Sequence, residues 1–208
     1  MSDSFDRDDW EQRLALHWAD FGQMDGQAFV DVLDTLAAEL PEGDPIGLFE
    51  RASAQDSLGN EANAEPLYRQ ALAGGLFGIR RRRATIQLAS TLRNLGKVDE
   101  SIVLLEAERL MPSDELDDAV VAFLALSLVD GGRAREAAHC PWPAGAPSAA
   151  LQSLAQDLRR GADGGATCDR QRAGRLARID RGHAAPLVEA VPGIDPSRMP
   201  GTHRVERG

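Results

Sequence analysis

The chain has 208 residues, of which 43% are hydrophobic and 27% charged, enough for one modest core or a short array of repeats. This size excludes a large multidomain enzyme. The 33 acidic and 23 basic side chains give a net charge of −10, which opposes non-specific attraction to nucleic acid or an anionic bilayer. Aromatic residues make up only 5%, which favours helices packed through Ala and Leu over an aromatic-rich sandwich or barrel.

The first residues are acidic and contain no apolar run, so they do not resemble a secretory signal. The longest apolar run, Ala119 to Val129, has 11 residues, whereas a membrane helix needs about 20. We therefore expect a cytoplasmic protein without a membrane partner. Cys140 and Cys168 lie 28 residues apart with no CxxC pair, which predicts reduced thiols that bind no metal.

The charge changes sign along the chain near Ala137. Residues 1–137 hold 13 basic and 26 acidic side chains, a net of −13. Residues 138–208 hold 10 basic and 7 acidic side chains, a net of +3, together with 7 of the 11 prolines. The two parts are therefore expected to differ in structure.

Before this break, apolar residues recur every three or four positions, the spacing of amphipathic helices. Short turns that contain Gly or Pro separate the apolar segments. The pattern predicts six helices: Gln27 to Leu40, Ile46 to Ser57, Glu61 to Ala73, Arg81 to Asn94, Val98 to Met111 and Leu116 to Val129. The fold class is therefore expected to be all-α.

The glycines of these turns recur at a fixed interval. Gly59, Gly96 and Gly132 occupy equivalent turns at spacings of 37 and 36 residues, and Gly22 marks a weaker copy 37 residues earlier. A helix precedes each of these glycines and a second helix follows it. The repeating unit is thus predicted to be a helical hairpin.

Small and aromatic residues occupy the same places in successive hairpins. The matching residues are Ala52, Gly59, Ala64, Tyr68 and Ala71 in one copy, Leu88, Ala89, Leu92 and Gly96 in the next, and Leu124, Ala125, Leu128, Gly132 and Ala137 in the third. These positions resemble the tetratricopeptide repeat, a helix-turn-helix of roughly 34 residues. Ser101 and Glu108 depart from the pattern, because Ala is usual at both places.

The resemblance covers about residues 14–137, and this segment is similar to bacterial tetratricopeptide domains of unassigned chemistry. It implies a right-handed superhelix of antiparallel helical hairpins with about 3 to 3.5 repeats. An ordinary helical bundle is the alternative. The resemblance also implies a non-catalytic scaffold that binds a protein or peptide in a concave groove lined by the first helices of the hairpins.

One predicted helix carries a polar stripe suited to such a role. Arg83, Gln87, Ser90 and Asn94 follow one another at helical spacing, and Arg93 lies beside them. A cation together with amides could hold a peptide backbone or a carboxylate through directed hydrogen bonds. The alternative is a solvated helix face.

The same helix begins with four arginines, Arg80, Arg81, Arg82 and Arg83. Four cations at a helix start oppose the helix dipole, so a compensating partner is expected. The partner could be internal, with Glu61 and Glu65 of the preceding hairpin as candidates, or a carboxylate-rich or phosphorylated molecule. Nucleic acid is an unlikely partner because no aromatic residues interleave with the arginines.

Two alternative functions remain open at this point. The chain could be a regulatory subunit that contacts nucleic acid or another polyanion through Arg80 to Arg83 and the Arg-rich tail. It could also be a self-associating structural subunit, and the sequence does not choose between a monomer and a homodimer.

Residues suited to catalysis or metal binding are sparse. The chain has no HExxH or GxSxG motif and no P-loop lysine, so no enzyme activity and no cofactor are expected. A zinc site made from His139, Cys140, Cys168 and His183 fits none of the common spacings. His17 and Trp18 are predicted to pack against or cap the first helix.

These observations divide the chain into four parts. Residues 1–13 are expected to form an acidic extension, residues 14–137 the repeat domain, and residues 138–160 a linker with a capping helix. That helix would place Leu151, Leu154, Ala155 and Leu158 on one face. Residues 161–208 are expected to be poorly structured, as a native cationic tail or as an out-of-frame product.

Overall fold

A computed structural model of the chain describes residues 5–140, and within that range every regular element is a helix. The eight helices are α1 (Arg7–Ala19), α2 (Gly26–Ala38), α3 (Pro45–Ser57), α4 (Glu61–Ala73), α5 (Gly78–Asn94), α6 (Val98–Glu108), α7 (Asp117–Asp130) and α8 (Ala134–Ala138). The six helices predicted from the sequence are confirmed as α2 to α7, with ends within three residues of the expected positions. No helix in this part of the chain is both long and apolar enough to cross a membrane.

Consecutive helices form four hairpins, and each hairpin turns at one of the four phased glycines. Gly22, Gly59, Gly96 and Gly132 all have positive φ, between 75° and 83°. Residues with a Cβ atom seldom adopt this conformation, so glycine suits these turns. The regular spacing of glycine in the sequence therefore reflects a backbone requirement that recurs in every hairpin.

The repeat pattern predicted a helix before Gly22 without giving its bounds, and helix α1 is that helix. It begins inside the segment expected to be an acidic extension, where the Asp6 carboxylate accepts hydrogen bonds from the backbone N–H groups of Asp8 and Asp9 at 3.0 and 3.3 Å. Trp10, Leu14 and Trp18 are buried on the side that faces α2. The helix carries only this narrow apolar face on an otherwise polar sequence.

The hairpins stack side by side, and the core runs along the stack. Each helix packs on the next one in the chain, and the first helices of neighbouring hairpins also touch, α3 with α5 and α5 with α7. Three apolar clusters follow one another: the first joins α1, α2 and α3, the second α3, α4 and α5, and the third α5 to α8. The clusters succeed one another in chain order, which distinguishes the stack from a bundle built around one centre.

The last described helix, α8, has five residues, compared with 11 to 13 in the other second helices. The predictions for the capping helix and the tail, and the choice between a native and an out-of-frame tail, concern residues that lie outside the described part of the chain.

Candidate partner-binding surface

The arginine run lies at the start of α5, in the middle of the stack. Arg80 reaches back to the first two hairpins, donating to both carboxylate oxygens of Glu11 on α1 and through Nε to Glu50 on α3 at 3.3 Å. Glu50 is buried and also accepts a hydrogen bond from Trp18 Nε1 at 2.9 Å. Burial raises the pKa of the Glu50 carboxyl, while the Arg80 charge and the Trp18 hydrogen bond act in the opposite direction.

Arg81 and Arg82 reach forward to the third and fourth hairpins. Both approach the buried carboxylate of Glu108 at the end of α6, Arg81 by a hydrogen bond from Nη2 and Arg82 with its Nε at 3.5 Å. Arg82 is only 4% exposed and donates to Pro112 O at 2.8 Å and to Asp117 Oδ1 at 2.6 Å. Three consecutive arginines therefore connect α5 to helices of all four hairpins.

Glu61 and Glu65 were candidates for an internal partner of these arginines, and neither binds Arg80, Arg81 or Arg82. Glu61 accepts from Asn94 Nδ2 at 3.3 Å, and Glu65 accepts from Lys97 Nζ at 2.6 Å. The reason is geometric: α4 and α5 are antiparallel neighbours, so the start of α4 lies beside the end of α5. The arginines at the start of α5 instead bind acids of α1, α3, α6 and α7.

The polar stripe predicted on α5 is largely covered. Arg83 and Gln87 are half-buried, and Ser90 and Arg93 are each 6% exposed. Asn94 is the exposed member of the stripe. These residues are therefore held within a packed surface and do not form a freely solvated helix face.

Several of these residues contact the neighbouring first helices. Ser53 Oγ on α3 donates to Gln87 Oε1 at 3.4 Å. Arg93 Nη1 lies 3.6 Å from Asp130 Oδ2 on α7, and Arg93 Nη2 donates to Asn94 Oδ1 at 3.2 Å. We call the side of the stack formed by α1, α3, α5 and α7 the first-helix face. The stripe occupies its middle.

Comparison with known proteins agrees with this arrangement of hairpins. The family model for the tetratrico peptide repeat matches residues 45–160, more than half of the chain. The chain belongs to the tetratricopeptide repeat family. No curated protein and no solved structure matches it.

Both departures from the tetratricopeptide pattern make polar contacts from α6 to neighbouring helices. Ser101 is fully buried, donates to Ala89 O at 2.7 Å and lies 2.8 Å from Ser127 Oγ on α7. Glu108 is the shared partner of Arg81 and Arg82. Each departure thus replaces a methyl group at a helix crossing with a satisfied polar group that joins α6 to a neighbouring helix.

Residues considered for chemistry have packing roles in the described range. The His17 ring stacks on Phe29 with centroids 4.2 Å apart, and its Nε2 lies 2.9 Å from Phe29 O. Trp18 also packs against Phe29, so the prediction that this pair packs against the first predicted helix, which is α2, is confirmed. The Cys140 thiol is buried, and burial raises its pKa, which makes the thiolate scarce at neutral pH.

A cleft of about 440 Å³ lies elsewhere, where α2 ends and α3 begins. Its wall includes Asp34 and Arg51, which form an ion pair at 2.6 Å. The cleft does not include the stripe on α5, and no pattern in the sequence predicted it.

Sequence reasoning named the arginines and missed the acids that bind them. Glu50 and Glu108 lie at positions of α3 and α6 that face other helices, so each is a carboxylate placed where an apolar or small residue would be expected. That misplacement is a usable signal, because a buried carboxylate requires a buried cation.

Proposed function

We propose that this tetratricopeptide repeat protein is a non-catalytic scaffold that binds an extended peptide or a protein segment along the first-helix face. Membership in the family supports a role in protein–protein interaction in general. The stacked first helices supply a continuous surface that one polypeptide can follow across several hairpins. The finer elements, which are the groove and the residues that contact the partner, are our proposal.

The polar stripe of α5 is the proposed contact site. Arg83 and Gln87 are half-buried and Asn94 is exposed, so the middle of the first-helix face presents a polar surface to a ligand. Ser90 and Arg93 are buried, and Arg93 lies 3.6 Å from Asp130 on α7, so these two residues help to hold α5 against its neighbours. A guanidinium with neighbouring amides can bind a carboxylate and the backbone groups of an extended peptide through directed hydrogen bonds.

Arg80, Arg81 and Arg82 take a different part in this proposal. Their ion pairs with Glu11, Glu50 and Glu108 fix the position of α5 relative to all four hairpins. They position the stripe and do not contact the partner.

These ion pairs also weigh against the alternative in which the chain binds nucleic acid or another polyanion, because the arginines that would bind it are paired with acids of the same chain. A mobility-shift assay with nucleic acid is expected to show no salt-dependent binding that depends on Arg81. Self-association remains an alternative to peptide binding, and light scattering that shows a monomer would remove it.

The proposal is tested by selecting peptides on the purified full chain and measuring their affinity by calorimetry. The test variant carries Arg83→Glu and Asn94→Ala. The matched control carries Arg109→Glu, which makes the same charge change at an exposed site on the second-helix side of the stack. We expect the test variant to bind at least about tenfold more weakly, a loss of about 1.4 kcal/mol.

The control is expected to bind as the unchanged chain does. Equal affinity of all three proteins for every selected peptide would refute the site on α5. Failure of any peptide to bind, together with turnover of a small molecule, would refute the scaffold function itself.

A further inference from the structure

Helix α6 presents an apolar row on its solvent-facing side. Val103 is 65% exposed, and Leu110, in the turn that ends the helix, is 82% exposed. Leu110 N donates to Ala107 O at 3.1 Å, so the turn continues the course of the helix. Val103, Ala107 and Leu110 therefore follow one another at the spacing of a helix face, and we call this exposed row the α6 stripe.

The packing of the hairpins does not account for the α6 stripe. Ile102 and Leu105 of the same helix are buried in the third apolar cluster. The turn glycines place α4 37 residues before α6, and there the positions of the stripe hold Pro66, Gln70 and Ala73, which are exposed but include no large aliphatic side chain. Isolated apolar residues on a surface are ordinary, whereas a row of them is typical of a surface that binds a partner.

Acidic side chains border the α6 stripe on both sides. Helical spacing puts Asp99 and Glu106 along one edge of the row and Glu100 along the other, and all three are exposed. Helix α6 itself contains no basic residue. Glu100 pairs with Arg69 of α4 at 2.6 Å, and Glu106 lies 3.7 Å from Arg133 Nη2. Pairs as exposed as these contribute little to stability, so the cations of a partner can replace them.

The complement of this surface is an apolar row flanked by cations. An apolar centre with a charged rim is a usual composition of a protein interface. Two copies of this chain would not complement each other here, because α6 stripes that met face to face would bring their acids together, and residues 1–137 carry a net charge of −13. An amphipathic helix with basic flanks has both the spacing and the charge that the surface requires.

We propose that the α6 stripe binds an amphipathic helix of a partner protein. Aliphatic side chains of that helix pack on the stripe, and its Lys or Arg residues meet Asp99, Glu100 and Glu106 on the two edges. The surface belongs to the second-helix side of the stack, so it is separate from the first-helix face and the inference goes beyond the proposed function. The two surfaces can be occupied at the same time.

The first test measures the binding of two synthetic helical peptides to the full-length chain by calorimetry. Both peptides carry the same row of leucines, and they differ only in the flanking residues, which are lysines in one and glutamates in the other. The lysine peptide is expected to bind at least about tenfold more tightly, and its affinity should fall as salt is added. Equal affinity for the two peptides, or no binding of the lysine peptide, would overturn the proposal.

The second test changes the apolar row while leaving the fold intact. The test variant carries Val103→Ser and Leu110→Ser, and the matched control carries Leu16→Ser and Val32→Ser, which remove exposed apolar side chains from α1 and α2. All four side chains are exposed, so both variants should melt close to the unchanged chain. The lysine peptide is expected to bind the test variant at least about tenfold more weakly and the control as before. Equal binding to both variants contradicts the proposal.

Two further variants separate this surface from the first-helix face. Asp99→Asn with Glu106→Gln should weaken the lysine peptide and leave the glutamate peptide no weaker. Arg83→Glu with Asn94→Ala should bind the lysine peptide as the unchanged chain does, even if the proposed function fails. Loss of the lysine peptide in that variant would move its site to the first-helix face. Light scattering that shows self-association lost on Val103→Ser with Leu110→Ser would identify a second copy as the occupant, and either result would overturn the proposal.

Discussion

Replacement of Arg80 by Met is the most informative single change, because it leaves the buried Glu50 carboxylate without its cation. Glu50 is 5% exposed, and its remaining hydrogen bond comes from Trp18 Nε1 at 2.9 Å. Breaking a buried ion pair from one side costs about 3 to 5 kcal/mol. Since the Arg80 side chain is 28% exposed, we expect the lower end, about 3 kcal/mol.

The loss should depend on pH. Burial already raises the pKa of Glu50, so the native state binds a proton more readily than the unfolded chain, and this contribution to stability falls as pH rises through the raised pKa. Without Arg80 the carboxylate is still less favourable, and protonation relieves more of the cost. The destabilisation by Arg80→Met should therefore be largest at pH 8 and smaller at pH 5.

Urea denaturation followed by circular dichroism measures the loss in the free energy of unfolding. In a thermal melt at neutral pH, the melting temperature is expected to fall by about 6 to 12 °C. Arg51→Met is the matched control, because Arg51 forms a pair with Asp34 at 2.6 Å in which both side chains are more than 40% exposed. Such a pair is worth at most about 1 kcal/mol. A second change, Glu50→Gln, should recover part of the stability lost in Arg80→Met.

Equal losses of stability from Arg80→Met and Arg51→Met, with no dependence on pH, would refute the conclusion that the arginine run stabilises the packing of α5 through buried ion pairs.

Three further outcomes follow from other contacts. Ser101→Ala and Ser127→Ala should each cost about 1 kcal/mol, and the double variant less than their sum, because the two hydroxyls share one hydrogen bond; a strictly additive urea-denaturation cycle would contradict the pairing. Gly96→Ala should cost about 1 kcal/mol because of the φ of 78° at this position alone, since the added Cβ meets no atom within 4 Å. Gly96→Asn should cost less, because Asn adopts positive φ more readily than Ala. Equal thermal stability of the two variants and the unchanged chain would contradict this reasoning. The hydrogen bond from Lys97 holds the pKa of Glu65 below its usual value. The stability that this carboxylate provides is therefore present at neutral pH and is lost as pH falls. Glu65→Gln should lower stability at pH 7, and the urea midpoint of the variant should decline less toward pH 3 than that of the unchanged chain.

The repeat architecture was accessible from the sequence because it depends on local requirements. A hairpin turn that needs positive φ selects glycine, and the interval between Gly59, Gly96 and Gly132 reports the length of the unit directly. The start of helix α1 was missed because its apolar face is narrow and its first turn is acidic. The Asp6 cap and the spacing of Trp10, Leu14 and Trp18 could have identified it.

The partners of the arginine run were less accessible, because they depend on which helix ends meet in space. Arg80 pairs with Glu11 across 69 positions of sequence, and no local pattern encodes that separation. The preceding hairpin was the natural place to look for acids, but antiparallel packing moved Glu61 and Glu65 to the other end of α5. Only the unusual placement of Glu50 and Glu108 pointed to a buried cation nearby.

The most direct test of the proposed scaffold is a hydrogen-exchange footprint of a selected peptide bound to the full-length chain. The account predicts slower exchange in the amides of α3 and α5 on peptide binding, centred on Arg83 to Asn94, with the second helices α2, α4 and α6 unchanged. Protection confined to the second helices, or to the turns that hold the arginine ion pairs, would place the partner on another surface and contradict the account.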